Sequence, residues 1–396
     1  MILRKTYELA VNTAMARSPI VALMGPRQCG KTTLSKHIAA EYKTQNQGGH
    51  YFDLEAPSDQ QRLQNPELLL ESLSGLVVLD EIQQMPQLFN LLRVLVDREN
   101  HPCHYLILGS ASPQIVKNVS ESLAGRVEFI QLAGFDLSEI QEEKSNSLWM
   151  RGGFPRSYLA ANERDSLAWR EGFIRTFLER DIPQLGITIP AAAMRRFWTM
   201  LAHAHGQTWN GSDLARSLGV SDKTVRQYLD ILTGTYMVRQ LQPWHENLKK
   251  RQVKSPKIYL RDSGVLHSLL NISDLDQLLG HPRLGASWEG YALEQVLCHL
   301  RYPEAYFWAT HNGAELDLLF FNSGKRYGVE FKFNEAPRVS RSMHVALADL
   351  DLDHIWVVFP GKEKYPAHEK ITMLPLRDIR ELGNPLTHHP ERKTDP

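Results

Sequence analysis

Residues 25–32 read Gly25-Pro26-Arg27-Gln28-Cys29-Gly30-Lys31-Thr32, and this octapeptide decides the fold of the first third of the chain. It fits the pattern G-x-x-x-x-G-K-S/T. An apolar run, Ile20-Val-Ala-Leu-Met24, precedes it, and a helix-like run, Thr33-Leu-Ser-Lys-His-Ile-Ala-Ala, comes after it. Strand, glycine-rich turn and helix start, in that order, make a phosphate cradle. The glycines let backbone N–H groups close around β- and γ-phosphates, and the helix adds the partial positive charge of its N-terminus. Lys31 is expected to reach the β/γ oxygens and the Thr32 hydroxyl to hold Mg²⁺. The loop from Gly25 to Thr33, with Pro26, Arg27, Gln28 and Cys29 between the glycines, is expected to surround a bound ATP.

Further apolar runs occur at the spacing of an α/β sheet: His50–Leu54, Gly75–Asp80, His104–Gly109 and Val127–Leu132, with helical patterns such as Leu88–Asp97 between them. Near-continuous apolar strands alternating with helices imply a parallel sheet covered on both faces. One strand ends in Asp80-Glu81. Asp80 is expected to hold the metal through its water shell and Glu81 to polarise the attacking water. The next strand ends Leu108-Gly-Ser-Ala-Ser112. Ser110 there is a candidate γ-phosphate sensor, with a plain strand-end turn as the alternative. Arg126, just before the last of these strands, is a candidate for stabilising transition-state charge, within its own subunit or across an interface; a surface salt bridge is the other reading.

Composition bounds the rest. At 396 residues the chain exceeds what one core usually serves. Its formal net charge is zero, so nucleic-acid contact would need a local basic patch. Three dispersed cysteines make neither a disulfide framework nor a zinc pattern and fit a reducing cytoplasm. The sequence carries no signal-peptide core and no apolar stretch near the roughly 20 residues of a membrane span, so a soluble cytoplasmic protein is expected.

The phosphate loop, Leu79-Asp-Glu-Ile, Leu108-Gly-Ser-Ala-Ser, Leu123-Ala-Gly-Arg and Phe135-Asp-Leu-Ser-Glu-Ile together resemble the AAA-type ATPases. With Gly152-Gly-Phe-Pro and Phe177-Leu-Glu-Arg-Asp-Ile, they look like a bacterial and archaeal family of such ATPases. In that family a short AAA core precedes a winged-helix segment and a restriction-endonuclease-like end. The sensor position departs from the resemblance, since Gly-Ser-Ala-Ser lacks a threonine before the glycine.

The stretch from Trp149 to Pro190 reads as a helical connector whose Arg175, Arg180 and Asp181 form ion pairs or report nucleotide state. Residues 211–229 read as a helix-turn-helix: Leu214, Ala215 and Leu218 inward, a turn at Gly219, Val220 as a plug, then a second helix capped by Ser221 with Val225 and Leu229 inward. Lys223, Thr224, Arg226 and Gln227 then point outward, residue types suited to phosphates and base edges. The run 248–257 between two strand patterns carries Lys249, Lys250, Arg251, Lys254 and Lys257 and no acid. A basic hairpin after a helix-turn-helix makes a winged helix whose wing contacts the DNA backbone; a pure protein-interaction module is the alternative.

The last third orders as helix, three strands, helix, strand. Alternation places Glu330 and Lys332 on one strand face, and Glu315 and Asp317 share a face of theirs. Asp317 and Glu330 are expected to meet around Mg²⁺ or Mn²⁺, with Lys332 placing a water and Glu289 completing the shell; Glu294 is the less favoured choice. This order and the D…E-x-K spacing resemble the PD-(D/E)xK nuclease superfamily, many members of which keep the shape without the chemistry.

The chain is therefore expected to be α/β, with a P-loop NTPase parallel sheet at 1–145, a helical connector and winged helix-turn-helix at 146–275, a restriction-endonuclease-like domain at 280–378 and a disordered tail over 379–396. The expected function is ATP hydrolysis, with ATP and Mg²⁺ bound and the nucleotide state controlling DNA-associated modules. A regulator that binds DNA or a protein partner without cleavage, and an ATP-regulated metal-dependent nuclease, are the alternatives. A membrane partner is not expected, and the oligomeric state is open.

Overall fold

The apolar runs of the first third pair into a parallel sheet. The computed structural model describes residues 2–45, 47–99, 101–110, 119, 121–246, 252–301 and 304–382. Its first sheet comprises β1 (Ile20–Gly25), β2 (Gly49–Asp53), β3 (Gly75–Asp80), β4 (Cys103–Ser110) and β5 (Val127–Gln131), ordered β2-β3-β4-β1-β5 with every pairing parallel. β1 is buried on both faces throughout, β3 from Leu76 to Asp80 and β4 from Tyr105 to Gly109, which is why they read as unbroken apolar runs. Around the sheet pack α1 (Lys5–Met15), α2 (Lys31–Thr44) and α3 (Leu88–Val96). The inward face of α3 is Leu88, Leu92 and Leu95, a helical spacing.

The connector is helical. α4 (Glu163–Thr176) runs without a break into a π-helical turn, Phe177–Asp181. Phe173, Ile174, Phe177 and Leu178 are buried along it. α5 (Ala191–His203), α6 (Gly211–Leu218) and α7 (Asp222–Gly234) come next. Gly219, at φ +71°, ends α6, and the Ser221 hydroxyl caps α7 by accepting from Thr224 N–H at 3.1 Å. Ala215, Val225 and Leu229 are buried, and Leu214 and Leu218 are half-buried. Val220 does not plug this core. It is 37% exposed, because the left-handed turn at Gly219 points the next side chain to solvent.

The second sheet has nine strands and spans the middle and the last third. Its members are β6 (Gln207–Thr208), β7 (Val238–Pro243), β8 (Lys257–Leu260), β9 (Ala305–Ala309), β10 (Glu315–Asn322), β11 (Lys325–Phe331), β12 (His354–Phe359), β13 (Tyr365–His368) and β14 (Ile371–Pro375). The order is β13-β14-β12-β11-β10-β9-β7-β8-β6. The joint is a parallel pairing of β7 with β9, Gln242 opposite Tyr306 and Pro243 opposite Phe307. β9, β10 and β11 pair antiparallel, and β11 with β12 parallel. α8 (Leu284–Leu300) and α9 (Arg341–Asp349) pack on this part of the sheet. The chain then closes with a 3₁₀ turn, Leu376–Glu381, that buries Ile379, so the segment expected to be disordered from 379 is still packed at its start. Residues 383–396 lie outside the described residues.

Arg4 bolts the first sheet to the segment that leaves it after β5. Its guanidinium is 6% exposed and uses all five N–H donors. Nε and one terminal nitrogen reach Glu139 at 2.6 and 2.8 Å; the remaining donors reach the carbonyls of Cys29, Ala133 and Gly134 at 2.7–3.1 Å. Removing one partner of such a buried pair strands the other charge. Arg4→Ala is therefore expected to lower stability by ~3 kcal/mol, with part of the loss recovered in Arg4→Ala/Glu139→Ala. Urea unfolding measures both, and a loss of under roughly 1 kcal/mol for the single variant would deny Arg4 this role.

Candidate functional site

The parallel strands all end at one edge of the first sheet, where open α/β sheets bind ligands. At that edge Gly25 passes so close to the β5 exit that a Cβ on it would lie 2.2 Å from the Leu132 carbonyl oxygen. Gly30, at φ +103°, turns the loop into α2. Between them Gln28 takes φ +64°, and Cys29 is fully buried. Lys31 is 6% exposed, and its ammonium donates to the Gly25 and Pro26 carbonyls, both at 2.9 Å. Those carbonyls stand where phosphate oxygens would draw the same ammonium, so the residues present fit a triphosphate.

Opposite the loop, β3 delivers Asp80, which is 3% exposed. Its carboxylate accepts from the Thr32 hydroxyl at 2.7 Å and the Tyr51 phenol at 2.5 Å, while the Glu81 N–H donates to it at 3.0 Å. Burial, together with this carboxylate, pushes the Tyr51 phenol far up, so it stays a donor. Glu81 takes φ +54° and accepts from the Gln83 amide. Ser110 ends β4 level with Gly25, and residues 111–118 lie outside the described residues.

The site opens into a cavity of 630 Å³ lined by Lys31, Thr33 and Glu81 from the sheet domain and by Arg156, Arg180 and Asp181 from the connector. Arg27 of the phosphate loop pairs with Asp181 at 2.5 Å and lies 3.8 Å from Glu55. The π-helical turn brings Asp181 here, a distortion that often marks functional sites. The sequence marks Asp181 as forming an ion pair or reporting nucleotide state; the partner it meets, Arg27, is not named by the sequence.

Arg126 is not at this edge. It precedes β5 at the opposite end of the strands, where its carbonyl accepts from Ile20 N–H. Its guanidinium holds Asp97 in a bidentate pair at 2.6 and 2.7 Å. A role within its own subunit's site is thereby corrected: the length of β1 separates Arg126 from the loop.

On α7, Lys223, Arg226 and Gln227 are exposed and Thr224 is half-buried. Lys249, Lys250 and Arg251 lie outside the described residues. Lys257, read in the sequence as part of a basic hairpin facing DNA, points inward instead and is 6% exposed.

The acids of the last third do converge. Glu330 pairs with Lys332 at 2.8 Å. Asp317 accepts from Phe331 N–H at 3.1 Å, and Glu289 accepts from the Tyr259 phenol at 2.5 Å. The ammonium of Lys257 stands 3.3 Å from Asp317 and 3.5 Å from Glu289, and also pairs with Glu315. As they stand, these residues do not fit a divalent cation, since a lysine holds the point the carboxylates face. Glu294 faces elsewhere: Arg239 and Arg261 clamp it and hold its carboxyl down at about 2 despite burial. Among the described residues, one further donor cluster, Glu8, His37 and Glu41, joins α1 to α2; the sequence reading did not single it out.

A five-stranded parallel sheet ordered β2-β3-β4-β1-β5, with a lysine-bearing phosphate loop after β1 and an acidic pair after β3, defines an AAA-type P-loop nucleotide-binding domain. The sequence pattern of the AAA domain matches residues 17–141. Two domains of unknown function match residues 142–276 (DUF8612) and 284–379 (DUF4143). The chain is 49% identical over 384 residues to Uncharacterized protein Rv2008c of Mycobacterium tuberculosis and, equally, to Uncharacterized protein Mb2031c of Mycobacterium bovis, covering 97% of this chain and 86% of each relative. It belongs to their family. Among solved structures, the Walker-type ATPase PABY2304 of Pyrococcus abyssi superimposes with a TM-score of 0.46 at 14% identity, over 68% of this chain and 96% of that one, too loosely to add to what the strand order says. Among the described residues, no helix is long and apolar enough to cross a membrane.

The acid cluster has a pH signature. Burial, with the Asp317 charge beside them, raises Glu330 to about 8 and Glu289 to about 7 from an ordinary 4.5. The folded state therefore keeps protons that the unfolded chain releases. Their stabilisation is complete below about pH 4.5 and lost as pH rises through 7–8. Glu330→Gln is expected to remove part of this slope, gaining on the order of 1–2 kcal/mol over wild type between about pH 5.5 and 8.5. Urea unfolding at the two pH values measures it; parallel slopes for the two proteins would contradict it.

Proposed function

We propose that this protein is an ATPase whose nucleotide state is passed through the connector to a DNA-associated winged helix and a nuclease-like domain. The observation that carries the reading is the Thr32–Asp80 hydrogen bond at 2.7 Å, which joins the phosphate-loop hydroxyl to the acidic strand end. Bound Mg²⁺ would supply charge neutralisation between the phosphate oxygens, held by the Thr32 hydroxyl and, through water, by Asp80. Lys31 leaves the loop carbonyls for the β/γ oxygens. Glu81, carried at the end of β3, orients and polarises the attacking water. Ser110 is the candidate sensor. Arg126 reaches a nucleotide only on another copy of the chain, so a contribution from it requires assembly.

Coupling rests on the Arg27–Asp181 pair. A triphosphate beside Arg27 competes with Asp181 for its guanidinium, so the connector feels whether the loop is filled. Downstream, the order α5-β6-α6-α7-β7-β8, with β6 and β7 flanking β8, supports a winged helix. Lys223, Thr224, Arg226 and Gln227 on α7 are the proposed DNA contacts, together with Lys249, Lys250 and Arg251. The order α8-β9-β10-β11-α9-β12 supports the nuclease-like reading of the last third, with Asp317, Glu330, Lys332 and Glu289 as its polar centre.

Glu81→Gln is expected to bind ATP and to lose at least about 100-fold in turnover, whereas Lys31→Ala loses binding. Normal hydrolysis by Glu81→Gln would remove Glu81 from its role. DNA is expected to change the wild-type hydrolysis rate, and Asp181→Asn to abolish that response while ATP still binds. DNA affinity should fall steeply with salt, and neutralising Lys249, Lys250 and Arg251 should flatten the slope. Binding indifferent to salt, or none, would exclude the DNA part of the proposal.

A further inference from the structure

Around the nuclease-like centre the cation comes from the protein. Lys257 belongs to β8, a strand that pairs with β6 and β7 beside the helix-turn-helix, not to the segment that supplies the acids. Its ammonium faces three carboxylates from two other elements: Glu289 of α8 at 3.5 Å, Asp317 of β10 at 3.3 Å, and Glu315 of β10. These are ammonium-to-oxygen contacts. A hard divalent cation would draw the oxygens to ~2.0–2.6 Å. Among the described residues, three donor atoms within 4.8 Å of one another occur only at Glu8, His37 and Glu41. The acids here are thus spread around Lys257 rather than gathered on a metal-sized point. Two of the three also have a partner that needs no metal, Tyr259 for Glu289 and the Phe331 N–H for Asp317, and Glu330 is paired with Lys332.

We infer that Lys257 is an internal cation that occupies the metal position of this carboxylate cluster and closes it to Mg²⁺ and Mn²⁺. The inference rests on the nuclease-like reading of the last third. An ammonium and a divalent ion cannot share so small a buried space, because both are positive and little water screens them. A metal enters only if Lys257 leaves, and Lys257 is held by β8. The strand that flanks the helix-turn-helix is therefore the strand that shuts the acid cluster.

The test measures Mn²⁺ binding to the nucleotide-free full-length chain by electron paramagnetic resonance, in wild type, Lys257→Met, Asp317→Asn and the double variant, with circular dichroism as the folding check. Wild type and Asp317→Asn are expected to bind equal amounts of Mn²⁺. Lys257→Met is expected to bind one ion more per chain, to lose it when Asp317→Asn is added, and to recover with Mn²⁺ some of the melting temperature lost with the lysine. If Asp317→Asn removes an ion from wild type, the cluster is already open; the lock falls while the nuclease-like reading stands. If neither wild type nor Lys257→Met binds through Asp317, both fall. An extra ion in Lys257→Met without nicking of supercoiled plasmid keeps the lock and removes the nuclease activity. Should Lys257→Met not fold, Lys257→Gln takes its place, and the comparison of wild type with Asp317→Asn still decides whether the site is closed.

Discussion

The Arg4 guanidinium donates to Glu139 and to three backbone carbonyls, one of them in the phosphate loop and two just beyond β5. A charge in a low-dielectric interior must be met by partners of the right shape, and a planar fork of five donors can meet several at once. Through it the N-terminus, the loop and the chain leaving the first sheet become one rigid unit. The same demand recurs across the molecule. Lys31 is met by loop carbonyls, Glu294 by two arginines, and Lys257 by the acid cluster.

Two features couple what the sequence divides into separate modules. The nine-stranded sheet runs through the β7–β9 pairing, so the strands that follow α6 and α7 and those of the last third share one hydrogen-bonded layer. At the other end, Asp181 reaches from the connector to Arg27 of the phosphate loop. In the proposed coupling, these two contacts are the route between the phosphate loop and the acid cluster.

Much of this was legible from residue order. The first sheet follows from apolar runs that strands buried on both faces require, and the phosphate loop from glycines, lysine and threonine in register. Alternation on β10 and β11 correctly paired Glu315 with Asp317 and Glu330 with Lys332. Other features were hidden. Arg126 reads like a site residue by its position before β5, yet that position is the wrong end of the strand. Val220 looks apolar enough to plug a core, but the turn before it faces the solvent. Lys257 looks like one more cation in a basic run, since strand direction within a hairpin cannot be read from charge alone.

By itself the sequence determined a P-loop nucleotide-binding sheet and the residue types at its edge, because phosphate cradling demands local spacing and local spacing is written in order along the chain. It also determined which acids share a face in the last third. Only the tertiary structure decided what faces those acids. The distance from Lys257 to Asp317 and Glu289 depends on β7 pairing with β9 across a long stretch of intervening chain, and no local pattern carries that pairing. Charges separated along the chain neutralise one another only after the sheet has brought them together.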